Sequence, residues 1–179
     1  MILILYSLFQ IYSFSNTDTV YLNCLNYIYE SKAYQDFVDI NKKDENSINI
    51  NPNICQKLID FNRDLFLEKI VERKFPELSN EEKFEIKRTM SKYESSNNIC
   101  TNNSEKEKIN LIGNIDSEFT LLFSKICINS IRARVVIKYS EINIEDEICK
   151  FRDIAKSLEF LFELENDTIK HAYILEVDY

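Results

Sequence analysis

A chain of 179 residues with 45% hydrophobic composition has the length of one domain and enough apolar side chains to build a core. Its single glycine, Gly113, excludes glycine-rich phosphate loops and dinucleotide fingerprints, which need several positions without a Cβ, and argues against hairpin-rich β folds. Thirty acidic against 22 basic residues, a formal net charge of −8, disfavour nucleic acid and anionic membrane surfaces as partners.

Met1 to Tyr12 is a short apolar run without an acidic residue, followed by Ser13, Phe14 and Ser15 and then by polar Asn16, Thr17 and Asp18. Small residues at Ser13 and Ser15 fit a secretory cleavage before Asn16, so residues 1–15 read as a signal peptide and residues 16–179 as the mature domain. The alternative, a first core helix or strand of an intracellular protein, draws support from the lack of Lys or Arg before the run. The run is shorter than the roughly 20 residues a membrane helix takes, so no integral membrane span is expected.

Val20, Cys24, Tyr27, Ile28, Tyr34 and Phe37 keep a helical beat and predict a first helix over Thr17–Ile40. The polar stretch Asn41–Asn51 is a connection. Asn51 and Pro52 then supply a cap and a first-turn proline for a second helix running to about Lys74. After Pro76, Ser79 and Glu82 have the spacing of a capping box, and a third helix from Asn80 to about Ser95 shows only a thin apolar face. Glu94–Lys106 reads as an exposed loop. The longest periodic run, Ile112–Tyr139, predicts a central helix, with Ile115, Phe119, Leu122, Ile126, Ile131 and Val135 on one stripe. Arg132, Arg134 and Lys138 late in that run read as a solvated flank paired with neighbours such as Glu141 rather than as an anion site. Acidic Ser140–Glu147 opens a fifth helix carrying Ile148, Phe151, Ile154, Leu158 and Phe162. Ile169, His171, Tyr173, Leu175 and Val177 alternate as in a strand but have no evident partner, so the tail is expected to be a short helix or an extended packed segment. The fold expected is therefore all-α, a single-domain bundle of about five helices.

Five cysteines, Cys24, Cys55, Cys100, Cys127 and Cys149, show no zinc-ligand spacing, and His171 is the only histidine. In a secreted chain this count implies two disulfides and a free thiol. Helix heights in the expected bundle favour Cys55–Cys100, disfavour Cys127–Cys149 and leave Cys24 to pair with either Cys149 or Cys127; Cys24–Cys149 is the pair preferred, because Cys127, between Ile126 and Ile128, has the apolar setting of a buried thiol. Asn102 and Asn166 head glycosylation tripeptides. His171 with Asp167 could form an acid–base pair, but no nucleophile accompanies it, and the reading preferred is a surface or half-buried histidine. No catalytic residue, metal ligand or cofactor site is expected. Two functions fit: a secreted helical protein that binds a protein partner through its surface, or a helical carrier of a small hydrophobic ligand or lipid.

Overall fold

The structure, a computed structural model, describes residues 16–42, 52–55, 64–97, 111, 117–127, 129–137 and 156–178. Residues 1–15, with the expected signal peptide, lie outside them, as do Asn102, Cys100 and Cys149. The chain is an α/β protein and not an all-α bundle. Two helices, α1 (Asn16–Glu30) and α2 (Lys32–Asn41), precede a short strand, β1 (Asn53–Ile54). A 3-10 turn at Asp64–Phe66 leads into α3 (Leu67–Lys74) and α4 (Asn80–Asn97), and β2 (Phe119–Phe123), β3 (Ser130–Ile137), β4 (Lys156–Glu165) and β5 (Thr168–Asp178) follow. The strands form one five-stranded sheet in sequence order, with β1 parallel to β2 and every other pair antiparallel.

The stretch expected as a central helix is thus two central strands. All of β2 and all but one residue of β3 are buried, because both sheet faces are covered. Such strands lose the inside–outside alternation that marks a one-sided sheet, and their apolar residues can match a helical spacing. Residues expected in the fifth helix, Leu158 to Phe162, lie in β4, and the alternating tail is its partner β5. The two strands join through Asn166 and Asp167, whose φ angles of 50° and 61° are the left-handed values a type I′ hairpin requires. Asn and Asp tolerate that region better than other residues with a Cβ, so the hairpin needs no glycine.

Odd residues of β2 and β3 and even residues of β4 share one face. There Phe119, Leu121, Phe123, Ile131, Ala133, Val135, Leu158, Phe160 and Phe162 meet Val20, Tyr21, Cys24, Ile28, Phe37 and Val38 of α1 and α2. The Tyr21 and Phe123 rings meet edge to face at 5.3 Å, and Tyr21 Oη donates to the Ser124 carbonyl at 2.9 Å. Each such buried ring contributes about 1.5–3 kcal/mol through removal from water. The single helix expected over Thr17–Ile40 is broken at Ser31, an extended residue whose hydroxyl accepts from Tyr34 N–H and caps α2. On the opposite face, Phe66, Leu67 and Ile70 pack on Leu161 and Tyr173, with Met90 of α4 beside them. Of the second helix expected from Pro52 to about Lys74, Asn53–Ile54 is instead the strand β1, whereas Leu67–Lys74 is helical as α3; residues 56–63 lie outside the described residues. The third helix and its capping box are found, as Glu82 accepts from Ser79 N–H at 2.9 Å and from its hydroxyl at 2.8 Å.

The cysteine pairing also changes. Cys24 is a free thiol with no exposed surface, in the core between α1 and the sheet, so it is not the partner expected for Cys149. Cys127, expected to be free, is disulfide-bonded, as is Cys55. The expected Cys55–Cys100 pair involves a residue outside the described ones. Burial pushes the Cys24 thiol up to about 12 from 9.0, and pushes the Tyr34 hydroxyl up as well. Below pH 9 Cys24 is protonated in both folded and unfolded chains. Between about 9 and 12 only the unfolded chain releases the proton, so stability falls as pH rises. Equilibrium unfolding across that window should show Cys24→Ala with a slope shallower by up to about 1.4 kcal/mol per pH unit.

Candidate functional site

Two polar assemblies stand on the sheet face opposite α1 and α2. The first is buried. Arg132 and Arg134 on β3 and Ser157 and Glu159 on β4 are each two residues apart, so each pair points to the same face. The register sets Arg134 directly opposite Glu159. Arg132 Nε donates to Glu159 Oε2 at 2.9 Å, Arg134 Nε donates to Oε1, and Ser157 Oγ donates to Oε1 at 3.0 Å. The Glu159 side chain is 0% exposed and that of Arg132 only 6%. These arginines are therefore structural elements of the interior and not the solvated flank expected; Lys138 and Glu141 lie outside the described residues. Nearby, Thr120 Oγ1 is buried without a hydrogen-bond partner.

The second assembly is an open cleft of about 330 Å³, lined by Arg73 and Lys74 at the end of α3, Asn129 and Ser130 before and in β3, Glu163, Leu164 and Glu165 of β4, and Lys170 and His171 of β5. Basic residues in the last turn of α3 suit the negative end of its dipole. They converge on Glu163, with Arg73 Nη2 at 2.6 Å and Lys74 Nζ at 2.8 Å. Burial raises the Glu163 pKa, but the hydrogen bond and charge of Lys74 and the charge of Arg73 outweigh it, and the carboxyl is held below the ordinary 4.5. Tyr173 Oη donates to the same carboxylate at 3.3 Å, and the Arg73 guanidinium lies 5.1 Å from the Tyr173 ring centroid. Burial and the Glu163 charge push the Tyr173 hydroxyl up, with Arg73 acting the other way. So clamped, Glu163 is a weakened base and Tyr173 a weakened acid, and both fasten the end of α3 to the sheet.

His171 and Asp167 are not one helical turn apart as considered from the sequence. Asp167 is in the hairpin turn, and His171 stands opposite Glu163 on β5. Asn166, the second glycosylation candidate, occupies the same exposed turn, where Thr168 Oγ1 donates to the Glu165 carbonyl at 2.6 Å. The sequence did carry signals for both assemblies, in the i, i+2 polar pairs Arg132/Arg134 and Ser157/Glu159 and in the Asn–Asp turn. Among the described residues no group of three His, Cys, Asp or Glu is placed to hold a metal ion, and no helix is long and apolar enough to cross a membrane. Comparison with known proteins gave no match to any family model, curated protein or solved structure.

Proposed function

We propose that the protein acts by binding a protein partner through its surface rather than by catalysis, and that it does so outside the cytosol after loss of residues 1–15. The observation that carries this reading is α4. Over residues 80–92 not one side chain of this 18-residue helix is buried, and Phe84 is 60% exposed among charged neighbours. A helix that buries so little is marginal by itself in water, so its outward face gains from a partner. Phe75, 39% exposed at the end of α3, displays a second ring on the same hairpin. The hairpin is firmly seated: Lys83 Nζ donates to the Pro76 carbonyl at 3.2 Å and Met90 packs into the second core cluster. A rigid exposed aromatic offers contact area at low ordering cost. The abundance of Phe, Ile and Leu that suggested a lipid carrier is accounted for by a sheet packed on both faces, which favours the surface reading.

Phe84→Glu provides the test. An exposed position should change stability by no more than about 0.5 kcal/mol, so folding and binding separate. In a pull-down with the secreted chain, partner recovery should fall at least tenfold for Phe84→Glu with unchanged circular dichroism. Undiminished recovery with both Phe84→Glu and Phe75→Glu would overturn the assignment. Amino-terminal sequencing tests the location, since an intact Met1 on cell-retained chain would refute it.

A further inference from the structure

The cleft at the end of α3 holds more cations than a regular strand would bring there. Neighbouring residues of a strand point to opposite faces, so Lys170 and His171 should not share one. The register of β4 with β5 breaks this rule: His171 lies opposite Glu163, Ile169 lies opposite Leu164, and Lys170 is the extra residue of a β-bulge. Ile169 and Ala172, on either side, both pack against the core beneath α1 and α2. Lys170 and His171 are thereby turned together onto the opposite face, where both line the cleft with Arg73, Lys74, Glu163 and Glu165. Bulges that re-aim a side chain in this way are over-represented beside functional sites. The charges gathered there do not cancel. Arg73 and Lys74 share the one Glu163 carboxylate, while Lys170 meets Glu165. Three cations against two carboxylates leave one spare positive charge with His171 neutral and two with it protonated. The chain as a whole carries −8, so the cleft is a local reversal of sign. Beyond about 8 Å the remaining charge is screened at physiological ionic strength, so a small anion feels chiefly the cleft. A long polyanion would instead meet the acidic remainder of the surface.

We propose that this cleft binds one tetrahedral oxyanion, a phosphate or sulfate group of a small molecule, held by Arg73, Lys74, Lys170 and His171. A planar carboxylate is matched by a single arginine fork, whereas here the donors come both from the end of α3 and from the bulge of β5, and suit oxygens that diverge. Asn129, exposed in the turn before β3, adds an amide donor. A volume of about 330 Å³ is at the lower end for ligand clefts and leaves room for a small group beyond the oxyanion. Lys170 can turn to the ligand because its 2.7 Å contact with Glu165 is an exposed pair, worth little by itself. Glu163 keeps Arg73 and Lys74 in place before the ligand arrives.

Calorimetric titration of the full chain with inorganic phosphate, inorganic sulfate and acetate decides the matter. Phosphate or sulfate should bind saturably and acetate at least tenfold more weakly, and whichever of the first two binds more tightly identifies the group. Lys170→Glu reverses the sign of the cleft at an exposed position, and should weaken binding at least tenfold with unchanged circular dichroism. Glu165→Gln removes the competitor for Lys170 and should tighten binding several-fold. Lys156→Glu makes the same change in total charge as Lys170→Glu, but at the other end of β4, about 30 Å away, and should leave the affinity within about twofold. No saturable binding in either wild type or Glu165→Gln overturns the proposal. So does binding that Lys170→Glu and Lys156→Glu weaken alike, or that acetate matches.

Discussion

Glu159→Ala should lower the free energy of unfolding by about 3–5 kcal/mol, more than any other single polar substitution among the described residues. The carboxylate is wholly buried and accepts from Arg132 Nε, Arg134 Nε and Ser157 Oγ. Removing it leaves positive charge in the interior, on an Arg132 side chain that is only 6% exposed. The cost is that of a stranded ion, not merely of lost hydrogen bonds. Glu159→Gln keeps shape and some hydrogen bonding but not charge, and should fall between alanine and wild type. Replacing Arg132, Glu159 and Arg134 together by apolar residues of similar volume should cost much less than Glu159→Ala alone, because no ion is then left without its partner. Urea titrations with an unchanged slope measure all three. A loss below about 1 kcal/mol for Glu159→Ala would mean that the carboxylate does not neutralise this arginine pair.

The elements legible in the sequence were those with one covered face. In α1 and α2 the buried Val20, Cys24, Ile28 and Phe37 are the residues whose spacing predicted a helix, and α4 was marked by its own capping box. The strands were hidden by their success at burial. Phe119, Thr120, Leu121, Leu122 and Phe123 are all buried, so nothing in the run alternates, and a helical stripe could be drawn through it by selecting Phe119, Leu122 and Ile126. Ile126 in fact is 39% exposed. The alternation of β5 is visible in the sequence, but Leu158, Leu161 and Phe162 of its partner β4 also fit a helical spacing, so no second strand announces itself. Glycine scarcity also misled, since Asn166 and Asp167 take the left-handed conformation themselves. The burial of Arg132 and Arg134 is not legible for a related reason: charged side chains are usually solvated, and only the pairing of β3 with β4 brings Glu159 against them.

Phe160→Ala should cost about 3–5 kcal/mol and lower the melting temperature by roughly 6–20 °C. Phe160 is fully buried on the face beneath α1 and α2, on the interior strand β4. Its cross-strand neighbours are Ala133 and Ile174, so a large ring fills the space that the small Ala133 leaves open. It also stacks on Phe162, with centroids 5.9 Å apart and planes 8° from parallel. Truncation therefore loses the transfer energy of the ring, its aromatic contact and the packing around a cavity that Ala133 cannot close. Phe160→Leu retains most of the volume and should cost much less than alanine. If the alanine cavity persists it is apolar and dry, and benzene added to Phe160→Ala should recover part of the lost melting temperature while leaving wild type unchanged. A Phe160→Ala loss below about 1 kcal/mol would mean that this ring does not lie between the α1–α2 layer and the sheet, since no surface position loses the 3–5 kcal/mol of a buried phenylalanine.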